Sequence, residues 1–449
     1  MTPPATPDRE SQTVSATPLP PLRLPRCLLD PGAVHLPAAD ADGLVAVELE
    51  YAEGRFTTIK PYPAAAEVQL PLALTPLLEP HAHLDKAFSW ERHPNRTGTM
   101  AGALAANQRE HLERSVEQVR ARGERALEQG WRHGLRAVRS HVDSLGPGAE
   151  VSWEALLDLQ QAWAERLPLQ LVALVPVRHW ATAAGEQLAR ELLGRRGKGA
   201  AAAGGVLLGG VLGAPFPPDG ADGEGLRALL RLADGLGCGV DLHIDESAEG
   251  GGAGVALAAR LMIEHRIGVP VCCSHSCSMS QLPLRRLLPL ADAMAEAGLA
   301  VVALPTTNLW LLGHRDGHTP AQRPLAPIRQ LQRAGVTVAV GGDNVQDPWY
   351  PGGDFDPLEL LRFSMPAAHL APWQRQGLMP FTTAASRLMG LAWDGVVRPG
   401  APADLLLLGA AGWSDLLARP VPRRVLQAGR WLPAPAPPPL QQLLEALPA

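Results

Sequence analysis

The chain has 449 residues, of which 46% are hydrophobic and 19% charged, and its formal charge is −5. It is long enough for a large core and more than one minimal domain, and it offers no broad field for nucleic acid or an anionic membrane. Five scattered cysteines, Cys27, Cys238, Cys272, Cys273 and Cys277, argue against a disulfide scaffold and for a reducing cytoplasm.

In chain order, residues 1–25 are rich in Pro and Thr, lack an apolar h-region and carry Asp8 and Glu10. That composition predicts a disordered leader rather than a signal peptide. "GLVAVELEYAEGRFTTIKPY" then alternates apolar and polar residues, which predicts a strand pair in the first part of a small β module over residues 26–75.

From Leu77 the texture changes to short apolar strands separated by longer helical stretches. The candidate strands are "LLEPHAHLD", "LRAVRSHVDS", "LQLVALVPV", "GVLLGGVLGA", "CGVDLHIDE", "VPVCCSHS", "LAVVALPTT" and "VTVAVGGDN". Between the first two, Leu112, Val116, Val119, Ala126 and Leu127 predict one apolar stripe on one helix. Connectors such as "GLRALLRLADGLG" end in glycine, a usual helix stop. Eight strand–helix alternations predict a (β/α)8 TIM barrel over residues 76–396, with a doubly wound sheet as the competing architecture.

Beyond Val397, "GAPADLLLLGA" and "RRVLQAGRWL" predict strands that pair with the N-terminal ones, completing a β-sandwich-like module over residues 397–432. Residues 433–449 read as a Pro-rich spacer and a short helix. No apolar run reaches transmembrane length.

His81 and His83 stand two apart in a strand and therefore project to the same face. At the C-terminal end of a barrel strand that face is the mouth, where two imidazoles make half of a zinc-type or iron-type site. His243 closes the fifth strand, His275 the sixth and Asp343 the eighth, all on the same rim. Three imidazoles and a carboxylate around a divalent cation leave a position open for water, as a catalytic site requires. Glu246, three residues past His243, is placed to carry a proton. "CCSHSC" lacks the His-x-Glu and Pro-Cys-x-x-Cys framework of nucleic-acid base deaminases. "GRRGKGAAAAGG" reads as a mobile basic loop.

"EPHAHLD", "NRTGTM", "VRSHVD", "HIDE", "SHS", "DPWYP" and "PGAPADLLLL", in this order between about Gly43 and Trp431, resemble the landmarks of the cytosine deaminase branch of the amidohydrolase superfamily. The resemblance implies that His81, His83, His243 and Asp343 hold one Zn²⁺ or Fe²⁺. It implies that Glu246 shuttles a proton to a ring nitrogen, that His275 steadies the attacking hydroxide, and that Asp343 also accepts a proton from the water. Binuclear relatives bridge their metals with a carboxylated lysine after the fourth strand; "GVLLGGVLGA" offers no Lys or Glu there, which favours one metal. A homo-oligomer is likewise implied.

Where that branch places a pyrimidine-reading glutamine, this chain has Pro176, Val177 and Arg178, none of which copies an amide's paired donor and acceptor. Asn344 replaces a second Asp, and Trp310 replaces a histidine. "HLDK" and "DN" resemble relatives that strip alkylamines from triazine rings. Arg178, Lys86, Trp310 and Asn344 are the candidate substrate contacts. Arg178 either faces a carbonyl or anionic substituent or is a surface arginine; Lys86 either touches substrate or pairs with Asp85 or another carboxylate. The function expected is hydrolytic deamination of an aminated heterocycle: a cytosine-like pyrimidine, a triazine or a related cyclic amidine. The alternatives are an amidohydrolase acting on a cyclic amide or N-alkylamino substituent, and a non-catalytic metal-binding scaffold.

Overall fold

The computed structural model describes residues 16–63, 68–195, 205–213 and 220–433. Among these, eight parallel strands follow one another in chain order in a single sheet: β1 (Leu77–Ala82), β2 (Leu135–Asp143), β3 (Leu169–Leu174), β4 (Val206–Leu212), β5 (Val240–Ile244), β6 (Val271–His275), β7 (Ala300–Ala303) and β8 (Thr337–Val340). Ala82 bridges Asp343 in parallel, and the Asp343 N–H donates to the His81 carbonyl at 2.9 Å. The sheet thus nearly closes on itself, and with the surrounding helices it forms the (β/α)8 barrel.

The interior follows from strand periodicity. Leu78, Ala137, Cys272, Val302, Leu304 and Ala339 cluster with Ala385 and Met389, which come from the helix Thr383–Leu388 and its end. Ala137, Arg139 and His141 alternate along β2, as do Asp241 and His243 on β5 and Cys272 and Ser274 on β6. Polar residues on those inward rows are therefore forced to find one another. Gly209 shows how close the walls stand: a Cβ there would lie 2.6 Å from the Asp241 carbonyl oxygen and 2.9 Å from that of Ala173. Backbone cannot step aside as a flexible side chain can. Gly209→Ala is expected to cost about 1–3 kcal/mol, read as a lowered thermal midpoint; an unchanged midpoint would contradict the packing.

The helical stretch after β1 differs from the single stripe expected. It forms two helices, Met100–Glu113 and Val116–His133, because Ser115 caps the second by accepting from the Gln118 N–H. Val119, Ala126 and Leu127 are buried, but Leu112 ends the first helix 73% exposed. The second helix stops at Gly134, whose φ of 93° suits the left-handed cap. β7 also ends sooner than expected, because Pro305 opens a short helix, Pro305–Leu311.

The described residues before Thr75 and those from Val396 onward form a second compact unit. One of its four-stranded antiparallel sheets contains Leu22–Pro25, Leu44–Ala52 and Arg55–Pro61. The other pairs Ala73–Leu74 with Leu405–Leu408, followed by Arg423–Gln427 and Arg430–Trp431. Residues 16–25, expected within a disordered leader, are ordered. They supply two strands of the first sheet, and Leu22 and Leu24 are fully buried. The expected C-terminal helix and residues 196–204 of the basic loop lie outside the described residues. Among the described residues no helix is long and apolar enough to cross a membrane. None of the five cysteines is in a disulfide; Cys272 and Cys273 are buried in β6 and Cys277 in the short turn after it.

Candidate active site

The rim residues expected to meet do meet. His83 Nε2 lies 3.2 Å from His243 Nε2 and 3.3 Å from Asp343 Oδ1, and His81 Nε2 lies 3.6 Å from the same oxygen. All four residues are buried. The His275 ring stands 4.9 Å from that of His243, and His275 Nε2 lies 3.6 Å from Glu246 Oε2. His275 follows Ser274, so an unbroken pleat would aim it away from the interior. Its φ of 69° breaks that pleat, and Asp343, past the end of β8, has a φ of 64°. Two non-glycine residues in the left-handed region at one mouth hold strain where the chemistry is expected.

These residues fit a cation. Ligand atoms about 2.1 Å from a tetrahedral ion stand about 3.4 Å apart, close to the separations among His81, His83, His243 and Asp343. His81 Nε2 and Asp343 Oδ2 are buried without hydrogen-bond partners, the state of ligand atoms awaiting an ion. Burial, reinforced by the neighbouring imidazoles, holds His81 and His243 well below the usual histidine range, so both rings are neutral and keep a lone pair. His275 differs. The Asn308 amide donates to its Nδ1 at 2.9 Å, which puts the ring's single proton on Nε2, facing Glu246. In that state its Nε2 is a hydrogen-bond donor, and burial holds the ring at about 4.

Burial, with Asp343 nearby, pushes the Glu246 carboxyl up to about 8, so it is protonated at neutral pH. Between about 4.5 and 8 the folded chain keeps a proton that the unfolded chain loses, so this contribution is full below that window and is lost as pH rises through it. In chelated protein, Glu246→Gln is expected to flatten the stability profile over the window by about 1.4 kcal/mol per pH unit. Urea midpoints at several pH values would check it; a slope equal to wild type would contradict the protonated state. Glu79, which is buried, is likewise raised to about 8; it accepts from the His81 and Gly342 N–H groups and so ties β1 to the end of β8.

The candidate substrate contacts fare differently. Lys86 is buried and pairs with Asp143 at 2.8 Å, whereas Asp85 is taken by Arg114 at 3.0 Å. The Lys86 ammonium also lies 5.9 Å from the Trp349 ring centre. Asn344 is buried, donating to Asp347 at 2.7 Å and accepting from Thr307 at 3.3 Å. Trp310 is 42% exposed on the helix after β7. Arg178 is exposed on the turn Val177–Ala181, its backbone abutting Gly225.

His141 was not among the candidates. It lies at the end of β2 with its ring stacked 3.8 Å from that of His81 and its Nε2 3.4 Å from Asp241 Oδ1. The signal for it was present: "VRSHVD" puts a histidine on the rim already assigned to five other residues.

Residues 92–430 match the sequence model of the amidohydrolase family. The chain is 31% identical over 397 residues to a pterin deaminase of Rhizobium rhizogenes, covering 86% of this chain and 87% of that one. The crystal structure of 5-methylcytosine deaminase from Klebsiella pneumoniae superposes with a TM-score of 0.75 at 24% identity, covering 88% of this chain and 95% of that one. N-isopropylammelide isopropylaminohydrolase from Burkholderia multivorans superposes with a TM-score of 0.67 at 25% identity, covering 92% and 98%.

Proposed function

The chain belongs to the amidohydrolase family, and from that premise we propose that it is a metal-dependent hydrolytic deaminase of a pterin-like heterocycle, releasing ammonia from the amine-bearing ring carbon. The observation that carries the reading is the convergence of three imidazoles and one carboxylate near Glu246. His81, His83, His243 and Asp343 would hold one divalent ion, Zn²⁺ or Fe²⁺. Bound there, such an ion supplies Lewis acidity and lowers the pKa of a water toward neutrality.

The chain's own groups supply the rest. The Asp343 oxygen that His81 and His83 leave free accepts the proton of the attacking water. His275 donates from Nε2 and orients that water. Glu246 protonates the ring nitrogen next to the attacked carbon; the proton held by Asp343 passes to the amine, the carbon–nitrogen bond breaks as ammonia leaves, and the new hydroxyl returns its proton to Glu246 as it becomes the ring carbonyl. A donor protonated at neutral pH suits this step.

Two observations favour a pterin over cytosine. The relative that covers most of the chain at 31% identity is a pterin deaminase. Pro176 and buried Val177 stand where a pyrimidine-reading glutamine is expected. Five cysteines without a disulfide suit a cytoplasmic enzyme, and homo-oligomerisation is part of the same proposal. An ammonia-release screen of Zn²⁺- and Fe²⁺-loaded protein against pterins, aminopyrimidines and alkylaminotriazines tests it. Ammonia from a pterin supports the reading; alkylamine release from a triazine without any pterin turnover would overturn it.

A further inference from the structure

Beneath the ligand cluster lies a chain of hydrogen bonds that none of the proposed catalytic steps uses. Arg139 on β2 donates from Nη1 to Asp241 Oδ2 at 2.7 Å, and both residues are buried. Arg139 is itself fixed: its Nε donates to Gln170 at 2.9 Å and its Nη2 to the Leu388 carbonyl at 3.3 Å. A guanidinium at that distance keeps Asp241 ionised, so both carboxylate oxygens can only accept. Ser274 on β6 therefore donates its one hydroxyl proton to Asp241 Oδ1, 2.7 Å away. The same hydroxyl oxygen lies 2.9 Å from His81 Nδ1. With its proton already committed, it can only accept there, and the ring must be the donor.

We propose that Ser274 and Asp241 are positioning residues that lock His81 in the Nδ1–H tautomer, leaving Nε2 bare toward the ligand cluster. The metal role of His81 is taken from the functional reading above; the tautomer follows from the hydrogen bonds alone. Asp241 is unusual as an outer partner because it acts through a serine and not directly on the ring. It therefore fixes the direction of the serine proton. An asparagine there would turn its oxygen to Arg139 and its amide N–H to Ser274. The hydroxyl would then donate to His81 Nδ1, and the ring proton would move to Nε2, where an ion has to bind. The relay also explains why a buried arginine stands in the barrel interior: its charge sets the polarity of the chain of bonds.

Two measurements test this. In metal-free wild-type protein with ¹⁵N-labelled histidine, the His81 ring, identified by its loss in His81→Gln, should show the Nδ1–H tautomer; an Nε2–H tautomer would overturn the proposal whether or not the protein binds metal. In Zn²⁺ titrations against a chromophoric chelator, Ser274→Ala should bind roughly 10–100-fold more weakly, Asp241→Asn at least as weakly, and Ser274→Thr, which keeps the hydroxyl, more tightly than Ser274→Ala. A folded Ser274→Ala with wild-type Zn²⁺ affinity would also overturn it. Because Asp241→Asn leaves Arg139 buried without its counter-charge, its thermal midpoint is read alongside, and Ser274→Ala decides if that variant does not fold. Wild-type protein that shows the Nδ1–H tautomer but binds no Zn²⁺ would overturn the metal role of His81 while leaving the relay standing.

Discussion

Glu246→Gln is expected to lower kcat for ammonia release by about 10²–10⁴-fold while the protein keeps its bound ion. Glutamine preserves the shape of the side chain and a contact to His275, but it has no proton to give a ring nitrogen. Glu246 is suited to the task because burial and the nearby Asp343 charge hold its proton to about pH 8. The alkaline limb of kcat/KM in the wild type should therefore fall near that value and be absent from the residual activity of the variant. Metal content measured on the same preparation separates loss of the acid from loss of the site. Wild-type turnover in Glu246→Gln would remove the proton-transfer role altogether.

The second large effect is expected at Asp343. Asp343→Asn keeps the volume and tolerates the left-handed φ of 64°, but it replaces the anionic member of the proposed ligand set with a neutral amide. Cation affinity should fall by more than the roughly 10–100-fold that loss of an outer partner costs, and ammonia release should fall to background. His83 Nε2, now 3.3 Å from the carboxylate, would face an amide in its place. Zn²⁺ binding by competition and ammonia release are the two readouts. Wild-type affinity in Asp343→Asn would place the ion elsewhere.

Much of this site was legible in the sequence because barrel geometry is periodic. Residues at strand ends share a rim, so His81, His83, His243, His275 and Asp343 could be grouped without knowing any distance between them. What escaped depends on contacts across strands. His141 sits on the same rim, but its place beside His81 and near Asp241 is visible only once β2 and β5 are brought together. The Arg139–Asp241–Ser274 relay joins three strands and has no local spacing to betray it. The φ of His275 could not be foreseen either, since periodicity alone points that ring out of the mouth. In the helical region, Leu112 has the spacing of the apolar stripe, yet it falls at a helix end, just before Ser115 starts a new helix. Near the N-terminus, a Pro-rich composition hid Leu22–Pro25, whose alternate leucines fill the β unit's core.

The central claim is that one ion, held by His81, His83, His243 and Asp343, makes this chain a deaminase. The most direct measurement is stepwise addition of Zn²⁺ or Fe²⁺ to chelated protein, with bound metal per chain and ammonia release from a pterin followed together. The account predicts that ammonia release rises linearly and saturates at one ion per chain. Ammonia release from the metal-free protein, or activity that appears only after a second ion binds, would contradict it.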